Sequence, residues 1–289
     1  MRLNDLKNIF HEELDGLYGQ EEVNNFFFIL IEEFYKIHRI ELALQPETSI
    51  TKKEQEPIFK ALDELKKEKP IQYILGKTEF FGLPFKVNSE VLIPRPETEE
   101  LVALILDTVT SSAVKKSLKI LDIGTGSGCI AISLAKNLPI SKVYAIDVST
   151  EALKVARENA RLNNVEVVFI EVDILSISNT ALDESKFDVI VSNPPYVRQQ
   201  EKQEIKNNVL KNEPHLALFV RDDDSLQFYK AIVQFGLKNL TKKGLLFFEI
   251  NEYLGAEMVK LLRESNFNIV ELRKDMFGKD RMIKATGYI

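Results

Sequence analysis

The chain is poor in the residues that usually bind metals or make cross-links. It has one cysteine, Cys129, among 289 residues. An intramolecular disulfide is impossible, and so is a zinc site built on cysteines. The three histidines, His11, His38 and His215, are scattered, and no spacing sets two of them on one helical face. No metal is expected. Long apolar runs are absent too. Near the start the longest is Phe26 to Ile31, whereas a spanning helix needs about 20 residues. The N-terminus lacks the short basic-then-apolar pattern of a secretory signal. The expectation is a cytoplasmic protein in a reducing compartment, with no membrane partner. Positive charge is not in excess either: 38 basic and 44 acidic residues give a net charge of −6. That argues against a dedicated duplex-binding face, so no stable nucleic-acid binding is expected, although a local basic patch is compatible with it.

What is present is an ordinary globular composition, 45% apolar and 28% charged. The length suggests two domains at roughly 100–200 residues each. Residues 1–69 read as a helical domain. Val23, Phe26, Phe27, Leu30, Ile31, Phe34 and Tyr35 recur at spacings of three and four, one apolar stripe. A second helix is expected within Ile58 to Lys69, stopped by Pro70. Such an aromatic stripe is read as core. Residues 70–92 change character. Tyr73, Ile74, Phe80, Phe81, Phe85 and Val87 favour strands, punctuated by Gly76, Gly82 and Pro84, as in a β-hairpin connector.

Residues 93–289 form the expected catalytic domain. Short apolar strands at Leu118–Asp122, Lys142–Asp147, Val165–Val172, Phe187–Ser192 and Leu245–Ile250 alternate with helices at Ile130–Asn137, Glu151–Asn163 and Ser225–Leu237. This predicts an α/β fold with a mostly parallel sheet covered on both faces. Phe267–Arg273 and Arg281–Thr286 leave little room for a helix and suit an antiparallel edge hairpin.

The first of these strands runs into Gly124, Thr125, Gly126, Ser127 and Gly128, then into a helix. Glycines there permit a tight turn and close approach of a ligand. A dinucleotide turn spaces its third glycine one place later, where Cys129 stands here, so the spacing tilts toward S-adenosylmethionine over NAD. Asp147 ends the next strand and can accept from both ribose hydroxyls; the bland alternative is a solvated acid near a helix cap. Asp173 ends the third strand in the same way and is a candidate for the adenine amino group, with Ile174 beside the ring. Cys129 reads as a small buried residue, not a nucleophile.

The fourth strand ends in Asn193-Pro194-Pro195-Tyr196. Two prolines fix the backbone and remove two N–H donors, which leaves carbonyls free to accept. Asn193 adds a side-chain carbonyl and Tyr196 a flat ring. Together they can hold a planar –NH2 group, with Asn193, Pro194 and Tyr196 as the catalytic set and Asn193 facing both cofactor and substrate. The bland alternative is a rigid loop end.

These motifs resemble the protein-(glutamine-N5) methyltransferases of peptide chain release factors, the HemK/PrmC family. The likeness runs through Pro70-Ile71-Gln72-Tyr73-Ile74-Leu75-Gly76 and Ile93-Pro94-Arg95-Pro96-Glu97-Thr98-Glu99. It continues through Leu121 to Gly128, Asn193 to Tyr196, Glu213-Pro214 and Asp280-Arg281. It departs at Val220 to Ser225, often glycine-rich in the family, and at Ile174, sometimes aromatic there. The resemblance implies a Rossmann-like class I methyltransferase fold, a seven-stranded, mostly parallel sheet plus an N-terminal helical domain that recognises the substrate. It implies S-adenosyl-L-methionine as cofactor and S-adenosyl-L-homocysteine as product. The implied substrate is the glutamine of the Gly-Gly-Gln tripeptide in class I release factors, with Arg198 to Asn212 as part of the substrate rim. Two other readings stay open on the motifs alone: methylation of an exocyclic amine on a nucleic-acid base, and a non-catalytic cofactor-binding scaffold. Tight NAD binding would instead mark a dehydrogenase.

Overall fold

The computed structural model describes residues 1–111, 117–177, 182, 185–204, 206–220 and 222–288. The chain forms two compact units, Met1–Leu75 with Asn207–Asn212, and Gly76–Lys206 with Glu213–Ile289.

The first unit is helical: α1 (Leu3–Tyr18), α2 (Gln20–Tyr35), α3 (Arg39–Leu44), α4 (Gln55–Lys66) and α5 (Ile71–Leu75). In α1 the buried set is Leu3, Leu6, Phe10 and Leu14, a stripe at helical spacing. It meets Val23, Phe27, Leu30 and Ile31 of α2 and Ile58, Ala61, Leu62 and Leu65 of α4. Phe10 and Phe27 pack edge to face at 5.6 Å. Of the expected stripe, Phe26, Phe34 and Tyr35 lie half-buried at the margin of this core. The β-favouring Tyr73 and Ile74 are helical rather than extended. Pro70 starts that turn, because its carbonyl accepts from the N–H groups of both Tyr73 and Ile74, and burying Ile71 in the helical core overrides the strand propensity.

The second unit opens with the hairpin β1 (Lys77–Phe80) and β2 (Leu83–Lys86), followed by α6 (Pro96–Thr110). Then come β3 (Lys119–Ile123), α7 (Cys129–Asn137), β4 (Lys142–Asp147), α8 (Thr150–Leu162), β5 (Val167–Glu171), β6 (Phe187–Ser192) and β7 (Val197–Arg198). After α9 (Asn207–Asn212), which packs in the first unit, follow α10 (His215–Leu218), β8 (Phe219–Val220), α11 (Gln227–Asn239), β9 (Leu240–Glu249), α12 (Gly255–Glu264), β10 (Phe267–Lys274) and β11 (Asp280–Tyr288). The main sheet has seven strands in the order β10-β11-β9-β6-β3-β4-β5. β9, β6, β3, β4 and β5 are parallel, and β11 pairs antiparallel to both β9 and β10. The expected edge hairpin is therefore present.

Strand alternation sorts the core. Val189, Val191 and Phe247 face the layer of α6 and α7, whereas Ile190, Leu246 and Phe248 face that of α11 and α12. β9 begins five residues earlier than its apolar run, since Leu240 pairs with Phe187 across an irregular step. Within the expected substrate rim Ile205 lies outside the described residues, as does Arg221 in the departing segment.

The strand order reverses between β3 and β6: the chain leaves β3 for β4 and β5 on one side, then returns to β6 on the other side of β3 and continues to β9. In an open α/β sheet ligands bind at such a switch point, beyond the carboxyl ends of the strands.

Candidate active site

A cavity of about 330 Å3 occupies that position. Gly124 through Ser127, Asp147, Asp173, Ile174 and Asn193 through Pro195 line it. A smaller cavity adjoins it, lined by Tyr196, Val197, Leu218 and Glu249 and sharing Leu92, Arg95, Asn193, Pro194 and Ala217 with the first. Two expected residues do not line the larger chamber. Tyr196 belongs to the smaller one, and Gly128 lies behind the wall.

The glycine turn is held from below and beside. Gly124 and Thr125 donate their N–H groups to the Ile146 carbonyl at 2.9 and 3.0 Å, which pins the turn to β4. Gly126 has φ +55°, and a Cβ placed there would meet open space, so the backbone is bare toward the cavity. Gly128 has the opposite reason to be glycine. A Cβ there would lie 2.9 Å from Ile132 and 3.2 Å from Ala156, so α7 and α8 approach too closely for a side chain.

Asp122, at the base of the turn, is fully buried. Its Oδ2 accepts from the Thr125 hydroxyl at 2.6 Å. Its Oδ1 has no hydrogen-bond partner among the described residues. Burial pushes the carboxyl up to about 7, against the pull of Thr125 and the Ala131 N–H. Asp147 bridges the turn to β4: Oδ2 accepts from Gly126 N–H at 2.8 Å and Oδ1 from Ser149 N–H at 2.9 Å. Burial raises its pKa also. Each oxygen keeps acceptor capacity. Capping of α8 falls to Ser149, which accepts from Ala152 N–H. Asp173 caps a single 3-10 turn through Leu175 N–H and the Ser176 hydroxyl. Cys129 is half-buried at the cavity wall, and its thiol is raised to about 12 by burial, unsuited to nucleophilic work.

At the end of β6, Asn193 Nδ2 donates to Thr98 Oγ1 at 3.3 Å. Thr98, in the first turn of α6, donates to Glu249 Oε2 at 2.6 Å, and Tyr196 donates to Oε1 of the same carboxylate at 3.1 Å. Glu249 is 1% exposed; burial raises its pKa while Thr98, Tyr196 and Arg281 oppose the rise. Arg95 pairs with buried Glu213 at 2.6 Å, and Glu213 also accepts from Ile93 N–H. This fastens the segment before α6 to the segment before α10, both of which line the larger cavity.

Thr98, Glu249 and the Arg95–Glu213 pair were not marked by sequence reasoning as site residues. Two signals stood in the chain. An ionisable residue closes the apolar run Leu245 to Phe248, and a Pro-Glu-Thr start opens a helix directly before it would face the sheet ends.

Comparison with known proteins is consistent along the whole chain. Residues 102–218 match the family described as "Methyltransferase small domain", and residues 19–76 match "PrmC N-terminal domain". The release factor glutamine methyltransferase of Flavobacterium psychrophilum is 51% identical over 285 residues, 99% of each chain. That of Bacteroides thetaiotaomicron is 40% identical over 283 residues, covering 98% of this chain and 99% of the relative. A methyltransferase structure from Pyrococcus furiosus aligns with TM-score 0.52 and 19% identity over 83% of this chain and 100% of its own, which shows a shared fold. The seven-stranded sheet is thus that of class I S-adenosylmethionine-dependent methyltransferases. By descent and by architecture the chain belongs to the release factor glutamine methyltransferase family.

Proposed function

We propose that the chain transfers a methyl group from S-adenosylmethionine to the side-chain amide nitrogen of the glutamine in the Gly-Gly-Gln tripeptide of class I release factors. The cofactor supplies a methyl group made electrophilic by its sulfonium. The site has features that suit it: a glycine turn bare toward the cavity and an acid with spare acceptor capacity at the end of β4. Gly124 through Gly128 and Asp147 would hold the nucleoside and its tail, with Asp173 and Ile174 at the base.

The observation that carries the reading is the shared wall. Asn193 and Pro194 border both chambers, and no described donor occupies Asn193 Oδ1, since its amide is tied through Nδ2. Asn193 Oδ1 and the Pro194 carbonyl would each take one hydrogen of a carboxamide entering from the smaller chamber, with the Tyr196 ring against its face. An amide nitrogen is a weak nucleophile because its lone pair is delocalised. Two acceptors orient it and stabilise the positive charge that develops as the bond forms, after which the nitrogen's proton is acidic enough to leave without a strong base beforehand.

The relatives' names point to the same substrate; the N-terminal helices would bind the body of the release factor, and Arg198 to Asn212 would form part of the substrate rim. No helix among the described residues is long and apolar enough to cross a membrane, and the cytoplasm is where such a partner would be met. The test is an incubation with labelled S-adenosylmethionine. Release factor, its Gln→Ala variant at the tripeptide, duplex DNA and RNA are offered in parallel. Label in the first alone is the expected result. Label in either nucleic acid, or in the Gln→Ala variant, overturns the assignment.

A further inference from the structure

A primary carboxamide is nearly symmetric in shape but opposite in polarity at its two ends. If Asn193 turned over, it would offer N–H to the substrate's N–H and repel it. Something must fix which end faces the acceptor chamber.

The surrounding hydrogen bonds do so by counting protons. Glu249, as a carboxylate, only accepts. Its Oε1 takes the Tyr196 hydroxyl proton and its Oε2 takes the Thr98 hydroxyl proton at 2.6 Å. Thr98 has one proton and has given it away, so toward Asn193 it can only accept. The end of Asn193 that lies 3.3 Å from Thr98 must therefore be the –NH2, and Oδ1 is turned away from Thr98. Burial makes the arrangement stiff: Thr98 is 2% exposed, and the Glu249 backbone carbonyl is also held, by the Tyr229 hydroxyl at 3.0 Å. Resting on the reading of Asn193 given above, we propose that Thr98, oriented by Glu249, is the positioning residue that sets the polarity of the acceptor site. It borders the larger cavity but is almost fully buried, and its part is to act through Asn193. It decides that position 193 presents a carbonyl.

Thr98→Val keeps the shape and removes the acceptor. The productive orientation then leaves a half-buried –NH2 without a partner, and kcat should fall roughly 5- to 100-fold, with the KM for S-adenosylmethionine unchanged. Thr98→Ser restores the hydroxyl and should return kcat to within about threefold of the parent, by the same argument. The decisive comparison uses Asn193→Asp as background. A carboxylate has two equivalent oxygens and no polarity to set, so adding Thr98→Val there should change kcat by less than about threefold. A loss of equal size in both backgrounds would show a merely structural role and overturn the proposal, as would a Thr98→Val protein within twofold of the parent. A second readout does not depend on turnover: hydrogen exchange of the Asn193 side-chain –NH2, followed by 15N NMR and assigned through Asn193→Asp. It should speed up about tenfold or more in Thr98→Val, and unchanged exchange overturns the proposal even if the Asn193→Asp background is inactive. If the parent methylates no release factor, the substrate reading fails, while the exchange measurement still decides whether Thr98 holds Asn193.

Discussion

Burial of Asp122 makes the stability of the catalytic unit depend on pH in a direction opposite to most carboxylates. An ordinary aspartate titrates at 3.8, and this one is pushed up to about 7. The shift is about three units, and at about 1.4 kcal/mol per unit it corresponds to roughly 4 kcal/mol. Between these two values the folded chain retains a proton that the unfolded chain has released. Stability from this group is fully present below about pH 4, is lost progressively as pH rises to about 7, and is level beyond. Asp122→Asn has nothing to titrate there. Other groups contribute equally to parent and variant, so the difference between the two curves isolates Asp122. The assay is urea unfolding of both proteins from pH 4.5 to 8, followed by methyl NMR signals of Ile120 and Ile123, which flank the site in β3. The gap should move by several kcal/mol across the range, in favour of the variant at the alkaline end, with the upper bound near 4. A 13C titration of the Asp122 carboxyl gives the same quantity directly. Parallel curves, or a carboxyl that titrates below pH 5, would refute the reasoning.

Other outcomes follow from the same structure. Asn193→Ala should lower kcat by orders of magnitude while changing cofactor affinity much less, measured by turnover and by calorimetric titration; near-normal turnover removes Asn193 from the mechanism. Gly128→Ala combines a left-handed backbone with a 2.9 Å clash against Ile132 and should destabilise the catalytic unit by about 2–4 kcal/mol in denaturant titration. Phe27→Ala opens a hole against Phe10 in the helical core and should cost about 3–5 kcal/mol, read from unfolding of the first unit.

Much of this architecture is legible in the chain because period and punctuation agree. β3 through β6 lie within two residues of their apolar runs, since the inner parallel strands β3 and β6 are covered on both faces and leave little room for polar residues, while the edge strand β5 is still bounded by its apolar run. Ile71–Leu75 was misleading for the opposite reason: a short β-favouring segment took its conformation from Pro70 before it and the helical core beside it. α6 and α12 drew no expectation. α6 begins with proline and two acids in its first turn, a legible start hidden inside a motif-rich stretch. The site divides in the same way. The glycine turn, Asp147 and Asn193 are local signals at strand ends, and the topology brings them to one cavity. The partners of Asn193 are remote: Thr98 lies 95 residues before it, and Glu249, reached through Thr98, lies 151 residues from Thr98. No local pattern announces a hydrogen bond of that range.

The two prolines that follow Asn193 have one more effect. A wall that recognises nitrogen by meeting each of its hydrogens with an oxygen has no use for a nitrogen that carries only one. Once a methyl has replaced a hydrogen, one oxygen faces carbon, and with Pro195 locked the loop has little freedom to compensate. On the proposed reading the pocket would be self-limiting: the methylated product keeps one N–H, loses one of its two acceptors, and would be held more weakly than the substrate.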